Sequence, residues 1–182
     1  TLEQYVRLNS YMREHEFDHK GKHKNDPRFH RHRTMLKSYI LFMVNSGLRP
    51  GEARYLKWGD IEERTNKLDR KVLVVRVSHT HSKVGKTRSA VGRYRAFRAL
   101  EEWRDYREDV GDFCTGDKLI FCDEVGNAIK DFREGFNNVI REAGVEFDRD
   151  GEKLTIYSLR HTYITFRLQY GKNLSIYKLA KN

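Results

Sequence analysis

Between Thr34 and Ser46 the chain reads TMLKSYILFMVNS, a helical segment that is apolar nearly all the way round. A helix of that kind has no face to offer water, so other elements must enclose it. Gly47 ends it, as a glycine just past the last helical residue commonly does. Pro50 then suits the first position of a new short helix, Pro50 to Trp58. The rest of the chain must wrap this segment.

The wrapping elements can be read in turn. Residues 2–14 form an amphipathic pattern that points Leu2, Tyr5, Val6 and Leu8 at a core. Residues 15–33 lack apolar periodicity and read as a long polar loop. KVLVVRVSH (71–79) is β-branched and continuous, hence a strand. A turn around Val84-Gly85 leads to a second strand near Arg88–Val91, which makes a hairpin. Helices are expected near 93–109, 130–143 and 158–170, the last stopped by Gly171. The fold class is α+β: mostly helical with one small antiparallel sheet, in a single domain of 182 residues.

Charge narrows the partner. The formal net charge is +10, and it is segregated along the chain. From Arg70 to Arg98 there are nine Lys or Arg and no acid, whereas residues 101–152 carry sixteen acids against seven bases. One basic face and one acidic back suit a polyanion such as nucleic acid, although a solvated face with no partner has the same signature. Cys114 and Cys122 make no disulfide framework and point to a reducing compartment. No apolar run approaches membrane-spanning length, and the N-terminus does not read as a signal peptide.

Three basic elements stand out. In SGLRPGEARYLKW, Arg49 precedes a proline and is held extended at a helix N-terminus, with Glu52 at the third helical position. A planar guanidinium there suits bidentate phosphate binding, and a structural Arg49–Glu52 pair is the other reading. In HTHSKVGKTRSAV, Lys83 and Lys86 flank a hairpin tip, from which a lysine can reach a groove or a phosphate; exposed hairpins also carry lysine simply to discourage edge pairing. In LTIYSLRHTYITFRLQYG, Ser158 is a plausible N-cap, and Leu159, Tyr163, Phe166 and Tyr170 recur at core spacing. Arg160 and His161 then fall in the first turn, with Tyr157 just upstream on the side of Arg160.

Together and in this order, the three elements resemble the catalytic domain of tyrosine recombinases, the phage-integrase family. SGLRPGEARYLKWGDI is similar to the family's first arginine box, with Arg49 as its arginine and Glu52 as the carboxylate partner. SKVGKTR is similar to the hairpin lysine segment, with Lys83 at the catalytic position. YSLRHTYIT is similar to the second box, with Arg160 as the second arginine and His161 after it. The resemblance implies the fold of DNA breaking-rejoining enzymes and phosphoryl transfer on double-stranded DNA through a 3′-phosphotyrosyl link, without metal or nucleotide cofactor. It implies DNA contacts from Arg76, Lys86, Arg88, Arg93 and Arg95, a tetramer on DNA, and a cytoplasmic, nucleoid-associated protein of prokaryotic, phage or mobile-element origin.

Two departures qualify it. Tyr157 stands where the second box usually has histidine, and a phenol is a poor general base at neutral pH. Either this subgroup manages with a phenol or the base function is reduced. The third box and the nucleophilic tyrosine are expected beyond Asn182, and a core-binding domain is expected before Thr1, so this stretch is expected to bind DNA without cleaving it. A basic DNA-binding module without chemistry is the main alternative. The remote one is zinc hydrolysis by HEFDH, with His15 and His19 as ligands and Glu16 as base. Its polar flanks and the run KGKHKND after it favour a basic loop beside DNA.

Overall fold

The computed structural model describes residues 1–14, 26–81 and 85–171. Helix α2 (Pro27–Ser46) is the central element. Asp26 caps it by accepting a hydrogen bond from the Arg28 amide (2.9 Å), and Pro27 occupies the first helical position. The helix thus starts well before the apolar run, and residues 27–33 are not loop. Their charged side chains hid the helical period, whereas the Asp-Pro start signal was present. At the other end Gly47 takes φ +67°, and its amide donates to the Met43 carbonyl (3.0 Å). The apolar segment is enclosed as its sequence requires, with Ile40, Phe42 and Met43 wholly buried.

Around α2 lie α1 (Leu2–Glu14), α3 (Pro50–Ala53), α4 (Tyr94–Asp109), α5 (Arg133–Glu142) and α6 (Ile156–Tyr170), with a sheet of β1 (Ile61–Thr65), β2 (Lys71–Val77) and β3 (Arg88–Arg93). The sheet is antiparallel in the order β1-β2-β3, pairing Val74 with both Glu62 and Val91. The fold is therefore mostly helical with one small antiparallel sheet. Strand β1, IEERT, escapes sequence reading because it is a charged edge strand with one apolar residue. The strand expected over 71–79 ends at Val77, and His79–His81 form a 3-10 turn.

Other expectations shift for local reasons. In α1 the buried residues are Leu8 and Met12, with Tyr5 packed beside them; Val6 is 54% exposed and Leu2 also faces solvent. The stripe runs through residues 5, 8 and 12, and Val6 lies off it. Helix α3 is only one turn long, because the chain leaves it to pair with residues 118–120: the Leu56 carbonyl accepts from Ile120 (2.8 Å) and the Trp58 amide donates to Lys118 (3.1 Å). Helix α6 begins earlier than expected. Thr155 is its N-cap, and Ser158 sits at the third position, where its hydroxyl accepts from the Thr155 amide (3.0 Å). Arg160 and His161 consequently lie in the second turn rather than the first, and Tyr170 projects past the core into solvent.

Candidate active site

The joint between α2 and α3 gathers the charged residues that the sequence singled out. Arg49 caps α3 in extended geometry (φ −75°, ψ 144°), as a residue before proline must. Glu52, three positions on, turns back: it accepts from the Arg49 amide (3.0 Å) and from Arg49 Nη1 (3.1 Å). Its side chain is only 1% exposed, and a carboxylate buried to that degree needs full pairing. The remaining partner arrives from the sheet. Arg88 Nη2 donates to Glu52 Oε2 at 2.8 Å.

Arg88 can do so because of strand parity. On β3, Arg88 shares the inner face with Ala90 and Gly92, opposite Val77, Val75 and Leu73 of β2. Arg76, opposite Ser89, and Arg93, opposite Val72, belong to the other face and are exposed. The inner face runs hard against the end of α2. A Cβ on Gly92 would lie 3.2 Å from the Asn45 carbonyl oxygen and 3.3 Å from Ser46 Cα.

Helix α6 closes the group from the other side. Its Tyr163 ring packs directly on Gly47, where a Cβ would fall 2.1 Å from the ring, so only glycine satisfies both this contact and the positive φ. The Tyr163 hydroxyl donates to the Val91 carbonyl (3.1 Å). One turn upstream, Arg160 is 6% exposed and donates from Nη1 to the Gly47 carbonyl, two residues before Arg49. Burial pushes the Arg160 guanidinium below its ordinary pKa. The charge of Arg49 pushes the same way, Tyr157 and Glu52 oppose, and Arg88 adds a smaller push downward. Arg49, Arg88 and Arg160 thus share one electrostatic neighbourhood around one carboxylate. Tyr157, at the second position of α6, is 45% exposed and meets His161 edge-on at 5.2 Å.

Lys83 lies outside the described residues, as do His15, Glu16 and His19. Lys86 and Arg95 are exposed, Lys86 just after Gly85 (φ +63°) on the hairpin and Arg95 in the first turn of α4. Sequence reasoning grouped Arg88 with these surface cations, and the structure pairs it with buried Glu52 instead; alternation with Ala90 and Gly92 was the available signal. Sequence reasoning also missed the stack of Tyr55 on His81 (4.2 Å, interplanar angle 14°), which holds the root of the hairpin against the segment after α3. No local pattern marks a contact between residues so far apart in the chain.

Among the described residues, two guanidiniums bonded to Glu52 and a third, Arg160, held beside them at the Gly47 carbonyl form a cradle rich in positive charge, and such a cradle suits a phosphate oxyanion. The model for the Phage integrase family matches residues 3–176, which include every member of the cradle. The chain belongs to the phage integrase family. No curated protein matches it in sequence. Among solved structures, this integrase-family domain is similar to the XerH site-specific recombinase bound to difH substrate in a pre-cleavage complex (TM-score 0.66, 20% identity, 97% of this chain and 44% of that one). It is similar to XerA recombinase (TM-score 0.63, 17% identity, 100% and 52%). It is also similar to the Tn1549 transposon integrase in complex with circular intermediate DNA (TM-score 0.59, 16% identity, 100% and 55%). At these identities the likeness is one of fold, and this integrase-family chain spans about half the length of the structures it matches. Among the described residues, no helix is long and apolar enough to cross a membrane.

Proposed function

We propose that residues 1–182 are the catalytic domain of a site-specific DNA recombinase that breaks and rejoins strands through a 3′-phosphotyrosyl intermediate. The observation that carries this reading is that Arg160 bonds the Gly47 carbonyl, 113 residues back along the chain and two residues before Arg49, and feels the charge of Arg49. A tyrosine oxygen attacks the scissile phosphorus, the bond to the 5′ oxygen breaks, and that oxygen takes a proton to leave as a hydroxyl. The attacking phenol gives its proton to solvent or a nearby base. The 5′ hydroxyl of another strand later attacks the phosphotyrosine and restores the tyrosine.

In this reading Arg49 and Arg160 bind the non-bridging oxygens, on which negative charge grows in the transition state. Lys83 protonates the leaving oxygen. Tyr157 and His161 lie beside Arg160, where the phenol donates a hydrogen bond to phosphate rather than acting as a base. Because the phosphodiester bond energy is kept in the protein–DNA link, the reaction needs neither nucleotide nor metal. Arg76, Lys86, Arg93 and Arg95 line the duplex on the outer face of the sheet and its flanks, the protein assembles as a tetramer on DNA, and its place is the nucleoid of a prokaryotic cell.

The test uses the full-length protein and a nicked suicide substrate that loses the 5′ hydroxyl after cleavage. A covalent protein–DNA band is expected. Tight binding with no band at any DNA concentration would favour the second reading, a DNA-binding module without chemistry, which the phenol at position 157 makes a real competitor.

A further inference from the structure

Arg88 has a task that the phosphate-binding roles leave unassigned. It lies on β3, a separate element from α3 and α6, yet its side chain turns in to Glu52 and is mostly buried. Glu52 Oε1 accepts from Arg49 Nη1, whereas Oε2 accepts from the Arg49 amide and from Arg88 Nη2. The carboxylate is thereby clamped at both oxygens, and Arg88 is the only side chain on Oε2 among the described residues. Nη1 of Arg88 is buried with no hydrogen-bond partner among the described residues, so its burial is not explained by good packing of its own polar atoms.

We propose that Arg88 is a positioning residue: it fixes and neutralises the Glu52 carboxylate, so that Arg49 is held in place and keeps its charge for a phosphate. Two effects follow from the geometry. Without Arg88, Oε2 keeps a single backbone donor, the carboxylate can rotate, and the orientation of Arg49 is lost. In addition, the full negative charge of Glu52 then falls on Arg49, which becomes half of a closed ion pair and a weaker electrophile. With Arg88 present the carboxylate is shared between two guanidiniums, and positive charge remains at the cradle. The part concerning phosphate rests on the recombinase reading; the part concerning Arg49 does not.

The experiment therefore has two arms. In full-length protein, Arg88→Met is expected to slow covalent complex formation at saturating DNA by about 10- to 100-fold, the usual scale for a residue that orients a catalytic one. DNA affinity should change less than about 3-fold, and Arg88→Lys should recover most of the rate. Should affinity and its salt dependence fall while the saturated rate holds, Arg88 contacts DNA and the proposal is wrong. In the second arm, without DNA, the side-chain 15N–1H signal of Arg49 is followed by NMR. It should be resolved in the wild type, collapse to the solvent-averaged position in Arg88→Met, and return in Arg88→Lys. An unchanged signal in Arg88→Met overturns the positioning role, whatever the protein does to DNA. A collapsed signal in a protein whose wild type never links to DNA keeps the positioning role and rejects the recombinase reading. Melting curves on each variant separate these outcomes from unfolding.

Discussion

Among the described residues, arginines gather around a carboxylate at Asp112 and at Glu52, and the two clusters are built to opposite ends. In one, Asp112 takes Arg107 in a fork (Nε 2.8 Å, Nη2 3.0 Å) and Arg31 Nη2 at 2.9 Å. Arg107 Nη1 goes to the carbonyls of Leu119 (2.8 Å) and Ile120 (3.2 Å), so each of its three nitrogens is partnered. The Trp103 ring lies under both guanidiniums, and its Nε1 joins the same Ile120 carbonyl (2.7 Å). Burial works against the Arg107 charge, but the hydrogen bond to Asp112 and the negative groups around it together outweigh burial, and the pKa rises. In the other cluster the surroundings oppose the charge of Arg160, whose pKa falls. A count of arginines does not tell the two apart. What separates them is whether the surroundings favour the positive charge, as at Arg107, or oppose it, as at Arg160.

The largest effect should come from the second cluster. Arg160→Ala or Arg49→Ala in full-length protein is expected to reduce covalent DNA linkage by about 10³-fold or more, the range for an arginine that stabilises a phosphoryl-transfer transition state. DNA binding should weaken far less. Trapping on a nicked substrate beside a binding titration measures both. A normal covalent yield from either variant would erase the distinction drawn between the clusters.

Next comes stability, and here the ranking reverses. Asp112→Ala strands buried Arg107 without its carboxylate, which should cost about 3–5 kcal/mol of folding free energy. Arg49→Ala leaves buried Glu52 still paired with Arg88 and with the backbone amide of residue 49, and should cost less, about 1–3 kcal/mol. Urea titrations of the two variants decide this. Equal losses would mean that the Arg49 cluster is as structural as the other.

How far the sequence revealed each cluster follows from how local its contacts are. Arg49 and Glu52 are three residues apart across a proline, so cap, brace and backbone geometry could all be read from one short segment. Helices α2 to α6 were visible wherever an apolar period or a Gly or Pro signal marked them. The start of α2 was masked by charge, and β1 has too few apolar residues to announce a strand. The inward turn of Arg88 depends on hairpin register, and the contact of Arg160 with Gly47 spans 113 residues. Sequence pattern supplied candidates for that contact but could not assemble them. For α6, reading Ser158 as the cap rather than Thr155 moved Arg160 by most of a turn, from the second turn of the helix into the first.

Acid offers a smaller test on the structural cluster. Burial alone would raise the Asp112 pKa, but hydrogen bonds from Arg107 and Arg31 hold it at about 2, below the ordinary 3.8. A carboxylate depressed in the folded state stabilises fully above its unfolded pKa, and that contribution is lost as pH falls toward the folded one. Between about pH 4 and pH 2 the wild type should therefore lose up to about 2 kcal/mol through this group. Asp112→Asn should lack that component of the acid transition. If both proteins titrate alike, Asp112 is not the group that ties this region to pH.

The smallest effects belong to the exposed cations, which are part of neither cluster. Arg76 and Arg93 stand on the outer face of the sheet, opposite in parity to Arg88. If that face lies along a duplex, each contact releases counterions. Arg76→Ala or Arg93→Ala should then reduce the slope of log affinity against log salt by about 1. The rate of covalent linkage at saturating DNA should not change. Arg107→Ala offers the control, since a buried side chain that touches no solvent cannot alter the salt slope of a protein that remains folded. Arg88 and Arg93 lie in one short strand and carry the same charge, and they differ only in which side of the sheet they leave. A salt slope that responds to Arg93 and a saturated rate that responds to Arg88 would trace two functions to that alternation alone. A slope that responds to Arg88 instead would make it a contact of the duplex rather than a brace for Glu52.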